Sequence, residues 1–244
     1  MFNKKIITMK RGINYRYFWH FITLPVIIVL LFTSCNILYI PTTHNSPMLS
    51  NKDEFQVSAL VGTGVNLQSA YAVTDHVGLM LNGFFLSSNK EMDMGADSTK
   101  KINELWLTFE AGAGYFTKVL DVFTFEIYAG GGTGRVPGDF RYVNYTYDGT
   151  QTATMSKLFI QPAIGFRSKI VDISGVSRFS AITMNNQMRY FFEPGVVAKL
   201  GYKNLRFIGS VGLSKPMNEL ENATWDYLLF NMGVGLQYNF GRKY

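Results

Sequence analysis

Cysteine is nearly missing from these 244 residues: Cys35 stands alone, so no disulfide can form within the chain. Histidine is almost as scarce, at three, and charged residues reach only 16%, where a soluble domain carries about 25%. No helix-length apolar run follows Cys35, and the mean hydropathy is only +0.06. A bundle of membrane-spanning helices is therefore excluded for that part of the chain. Acidic residues are absent before Cys35, whereas five of the 23 Lys and Arg (Lys4, Lys5, Lys10, Arg11 and Arg16) lie there. The formal charge of +6 thus belongs to the N-terminal stretch; from Cys35 onward 18 basic residues face 17 acidic ones, a net of +1. A nucleic-acid partner, which would need a basic domain, loses its support.

What is present in quantity is aromatic residues and glycine: 14 Tyr, 20 Phe and 23 Gly. With few charges and middling hydropathy, this suits a barrel with a greasy outside and a polar inside. A secreted β-sandwich would share that composition, so pattern has to decide.

Residues 1–20 form a positively charged n-region, and Phe21 to Phe32 is a nearly unbroken apolar run. About a dozen residues is short for a bilayer but suits the h-region of a signal peptide. The run ends in Leu31-Phe32-Thr33-Ser34-Cys35. This resembles the lipobox of bacterial lipoproteins, in which a small residue precedes the cysteine that receives diacylglycerol. Phe32 departs from the usual Leu, and the n-region is long; the bland alternative is an uncleaved anchor with an incidental cysteine. The resemblance implies a removed leader, residues 1–34, and a lipid on Cys35. Asn36 replaces the Asp that retains many such proteins at the inner membrane. Asn36 to Ile40 also lacks the acidic cluster that marks surface export in some Bacteroidota lipoproteins. The implied address is the periplasmic leaflet of the outer membrane, with residues 35–53 as a lipidated N-terminus and periplasmic linker.

From Glu54 to the end, apolar residues alternate with polar or small ones, broken by Gly, Asn and Asp turns. The last segment is clearest: Leu228, Phe230, Met232, Val234, Leu236, Tyr238 and Phe240 share one face. The same reading gives strands near 54–63, 66–74, 77–88, 104–116, 122–134, 154–168, 174–184, 191–202, 204–213 and 226–240. The expected fold over 54–244 is all-β, an antiparallel up-and-down transmembrane β-barrel of about ten strands, with eight as the alternative. Short turns fall near 74–76, 117–121, 169–172 and 203–204. The other connections (89–103, 135–153, 185–190, 214–225) read as mostly longer, and only the one near Gly64 is tight. That asymmetry, with an even strand count, puts both barrel termini in the periplasm.

One face of these strands carries Phe55, Leu81, Phe109, Leu158, Ile164, Leu200 and Phe207. The other carries Gln56, Asn82, Gln161 and the charged set Glu110, Glu126, Arg167, Arg178, Glu193, Lys199 and Arg206. Charges in mid-strand are costly beside lipid unless enclosed and paired, so this second face is expected to line the lumen as a polar plug. A selectivity lining for a solute is the functional alternative. The run Asn231–Tyr238, with Gly233, Leu236 and Tyr238 and with Phe240 in phase, is similar to the β-signal read by the barrel assembly machinery. That resemblance implies that machinery as a partner during biogenesis, although the chain continues past Phe240.

Enzymes of this architecture generally use a histidine near the outer rim. His20 is in the leader, His44 in the linker, and His76 lies beside Asp75 in a short turn, where a turn pair is the plainer reading than a catalytic dyad. No H-E-x-x-H or G-x-S-x-G motif occurs. Gly130–Gly134 lacks the lysine of a phosphate loop and reads as strand glycines that leave room for bulky neighbours. Aromatics in loop 135–153 (Phe140, Tyr142, Tyr145, Tyr147) suit an interfacial girdle or a binding surface. The expectation is a protein with no cofactor and no catalytic residue. It would be a structural or accessory subunit of an envelope complex or a surface-binding module, with a narrow solute channel as the alternative.

Overall fold

The computed structural model describes residues 37–93, 99–120, 122–137, 152–218 and 225–242. The leader, Cys35 and the loop aromatics Phe140, Tyr142, Tyr145 and Tyr147 lie outside them. Thirteen strands follow in chain order: β1 (Ile37–Tyr39), β2 (Phe55–Gly62), β3 (Val65–Ala72), β4 (Val77–Asp93), β5 (Thr99–Leu120), β6 (Phe123–Pro137), β7 (Thr152–Arg167), β8 (Val171–Met184), β9 (Gln187–Tyr202), β10 (Leu205–Leu213), β11 (Lys215–Pro216), β12 (Asp226–Tyr227) and β13 (Phe230–Phe240). β2 to β10 pair antiparallel in sequence order. β13 then joins β10 to β2 and closes a ten-stranded antiparallel barrel, with β11 as a short addition to β9. Closure removes both sheet edges, and only extensions such as Leu86–Asp93 of β4 pair on one side alone.

The period-two pattern becomes an inside and an outside. On the outer face Phe55 is 37% exposed, and Leu158 and Phe207 reach 68%. The next residue in each strand turns inward: Gln56, Asn82, Glu110, Gln161 and Arg206 are all buried. An apolar exterior around a polar interior inverts the arrangement of a soluble barrel.

Two rims differ in their connections. On one, turns 73–76, 121–122, 168–170 and 203–204 are short, and β2 begins and β13 ends there. The other holds the tight 63–64 link, the strand ends Asp93, Thr99, Pro137 and Thr152, the Asn185-Asn186 turn, and residues 214–218 and 225–229. Two expected loops on this long-loop rim are instead largely strand. β4 and β5 stay paired out to Asp93 and Thr99, and β8 and β9 are joined by two residues only. Asn185 and Asn186 both have positive φ (50° and 59°), the backbone of a two-residue hairpin turn whose twist matches the strands, and asparagine tolerates it best after glycine.

The expected last strand, 226–240, is split. β12 leaves the barrel to pair in parallel with β1, and the Leu228 N–H donates to the Tyr39 carbonyl at 2.9 Å. The stretch read as a linker outside the barrel is the partner in that pairing. Residues 38–49 are all buried, and they run inside the barrel from the long-loop rim to the short-turn rim.

Candidate functional site: a lumen filled by the chain's own N-terminal segment

An eight-stranded barrel is filled by its own side chains, and ten strands leave space along the axis. Here the space holds residues 38–49, which meet the wall in three layers.

The layer at the long-loop rim is aromatic. Leu38, Tyr39 and Ile40 pack with Phe84, Trp106, Met155, Phe191 and Trp225, and Trp106 Nε1 donates to the Leu38 carbonyl at 3.2 Å. Arg189 lies over three rings, 4.9 Å from the centre of Trp225, 5.2 Å from Tyr227 and 5.7 Å from Phe191, and also donates to the Trp225 carbonyl. Cation–π contact and the carbonyl together compensate this guanidinium for lost water.

The middle layer is ionic. Lys157 Nζ sits 2.9 Å from Glu110 Oε1 and 3.8 Å from Glu193 Oε2, and Arg178 lies 3.7 Å from Glu110 Oε2. The segment completes these contacts. Tyr39 OH donates to Glu193 at 2.6 Å, and Thr42 Oγ1 donates to Glu110 at 3.0 Å while accepting from Arg178 at 2.9 Å. His44 Nε2 donates to the Glu193 carbonyl at 2.9 Å, and Asn45 Nδ2 donates to Asn82 at 2.7 Å. Gly195 and Gly212 make the niche for the His44 ring; a Cβ on either would lie 2.6 Å from it.

In the layer at the short-turn rim the segment engages two charges of the wall, and the other charges pair with one another. Ser46 Oγ and the Met48 N–H donate to the two oxygens of Glu126, at 2.5 and 2.8 Å. Lys199 Nζ donates to the carbonyls of Ser46 and Pro47, at 2.8 and 3.1 Å. Arg167 reaches Glu54 at 3.3 Å, and Asp172 is held between Arg206 (3.0 Å) and Arg242 (2.7 Å). Gly165 lies directly under the Met48 methyl, where a Cβ would clash.

The seven lumen charges expected from sequence are therefore all interior, but they do not form one network. Glu110 and Glu193 meet through Lys157, with Arg178 beside Glu110; Glu126 and Lys199 hold Ser46 to Met48 of the segment; and Arg167 and Arg206 bind near the short-turn rim. The strand phase of β7 could have supplied Lys157, which shares parity with Gln161 and Arg167. Arg189 fell before the expected start of β9, and Asp172 was read as turn. The role of Tyr39, Thr42, Asn45, Ser46 and Met48 had no periodic signal; the one hint was a polar run, Thr42 to Ser46, held between Pro41 and Pro47.

The β-signal-like residues lie on the closing strand. Gly233 faces Leu60 and Thr43 within, and Leu236, Tyr238 and Phe240 lie on the outer face, the last with its ring 4.6 Å from Tyr238 and 5.6 Å from Phe55. Asp75 and His76 turn to separate partners: Asp75 accepts from the Lys52 N–H, while His76 stacks on Tyr115 and contacts the Phe116 carbonyl. No protein-family model matches the chain, and no curated protein is similar enough to match it.

Proposed function

We propose that this chain is a non-enzymatic outer-membrane lipoprotein barrel, lipidated at Cys35 and stopped by its own N-terminal segment. It serves as a structural or accessory subunit of an envelope complex. One observation carries the reading: large apolar side chains dominate the outer face of a closed barrel, while every layer of the lumen is occupied by the chain itself. A predominantly greasy exterior suits acyl chains, and a lumen already packed with peptide argues against the narrow-channel alternative. The separate engagements of Asp75 and His76 support the non-enzymatic side of the reading. Extraction of native membranes in mild detergent, followed by purification of the tagged chain, tests it. A stoichiometric envelope partner is the expected result; a strictly monomeric barrel counts against the subunit role. Release of the deacylated protein into buffer without detergent would defeat the membrane reading altogether.

A further inference from the structure

We infer that the chain crosses the membrane once more, through its own lumen, so that Cys35 and its acyl groups lie at the long-loop rim, in the outer leaflet of the outer membrane at the cell surface. This rests on the lipoprotein-barrel reading, because that reading supplies the lipid and the bilayer.

The direction of the segment is fixed at both ends. Ile37 pairs with Asp226, and the Leu38 carbonyl accepts from Trp106, both at the long-loop rim. Thr42 and His44 are held at mid-depth by Glu110 and Glu193. The Ser50 N–H then reaches Glu54, and the Lys52 N–H reaches Asp75 in the first short turn. Depth thus advances steadily with residue number, with no return. Fully extended, the stretch from Ile37 to Ser50 could cover ~45 Å, against a hydrocarbon core of about 30 Å. Cys35 precedes Ile37 by two residues, a reach of at most ~7 Å, so its sulfur cannot return to the short-turn rim.

The wall is shaped and charged for this occupant. A Cβ at Gly212 would meet only side chains, 2.6 Å from the His44 ring, and Gly165 is vacant beneath Met48. Both Glu126 oxygens are engaged by the segment, as is the Lys199 ammonium. Withdrawing the segment would strand two buried charges, which makes it a permanent part of the barrel and not a sliding tether. Short turns face the periplasm in barrels of this kind, which puts the long-loop rim outside. The consequence reverses the leaflet implied by Asn36 and by the absence of an acidic cluster after Cys35. Threading through the lumen takes the place of an export signal in the sequence, and it requires the barrel to close around an N-terminus already in passage.

The test compares three full-length chains in their native envelope: wild type, Asn36→Cys and Asn204→Cys. Each is treated with a membrane-impermeant maleimide on intact cells and again after outer-membrane permeabilisation, and each is labelled metabolically with an alkynyl fatty acid. Heat-modifiable gel mobility checks that the barrels assemble. The expected result is that N36C reacts as fully in intact cells as after permeabilisation, that N204C reacts only after permeabilisation, and that wild type takes up the acyl label and no maleimide. If N36C and N204C report the same side, the segment is not threaded and the inference is overturned. If N36C is shielded while N204C reacts in intact cells, the surface assignment is overturned instead. Loss of the acyl label, with maleimide reacting at Cys35 itself, defeats the lipoprotein reading separately, and the N36C result still decides the threading.

Discussion

Lys157 is the residue on which the middle of the lumen turns. Its ammonium serves Glu110 and Glu193 together and lies 3.2 Å from the Tyr39 hydroxyl, and all these ionic side chains are buried. Replacing it by methionine keeps the volume and leaves two enclosed carboxylates short of a counter-charge, a loss of about 3–5 kcal/mol. Urea unfolding of refolded K157M should show that loss, and the double variant K157M/E193Q should recover much of it, since the remaining Glu110 still has Arg178 at 3.7 Å as its counter-charge. Gly212 offers a complementary probe. Gly212→Ala puts a methyl against the His44 ring, and overpacking of this kind costs ~1–3 kcal/mol. His44→Ala in the same chain should relieve the clash, so the double variant is less destabilised than the sum of the singles. Additive losses would mean that His44 does not occupy the niche. The charges on strands were legible in advance because a period of two assigns each residue a side. His44 was not legible, because a niche made by Gly195 and Gly212 on two distant strands leaves no mark near residue 44.

At the scale of the strand, ten elements could be read from alternation alone, and each falls within a few residues of its place. The misread stretches have local causes. The hairpin of β4 and β5 continues past the expected start of its loop at Asn89 because backbone pairing does not require an apolar stripe; Ser87 and Asn103 bridge it by a hydrogen bond at 2.9 Å. The break at 228–229 arises from the backbone contact between Leu228 and Tyr39, a pairing partner that no window around residue 228 contains. The outer face gives a direct test of what surrounds it. Leu158 sits mid-strand in β7, 68% exposed, opposite Gly131 and Ala181. In a bilayer Leu158→Arg should cost about 2–4 kcal/mol, while a barrel bathed in water would register within ~0.5 kcal/mol. Unfolding titrations in phospholipid vesicles separate the two outcomes.

For the molecule as a whole, the question is whether the barrel conducts, and strand number and lumen content answer it together. Ten strands enclose more space than their own side chains fill, so the closed state depends on the segment and not on the wall. The intact chain, reconstituted in planar bilayers, should show no stable conductance. Deleting residues 38–49 should open a water-filled path if the wall holds its shape, which heat-modifiable mobility would establish before recording. Among the described residues, the buried charges of the barrel itself are seven basic (Lys157, Arg167, Arg178, Arg189, Lys199, Arg206, Arg242) and five acidic (Glu54, Glu110, Glu126, Asp172, Glu193). Once hydrated, that excess of positive charge favours anions in a narrow, low-dielectric passage. The reversal potential of the deletion variant in a salt gradient should therefore shift toward the anion's equilibrium potential, and K199M should reduce the shift. Steady conductance from the intact chain would contradict the plugged barrel. A deletion variant that assembles yet stays silent would place the obstruction in the wall's own side chains, with the segment incidental to closure.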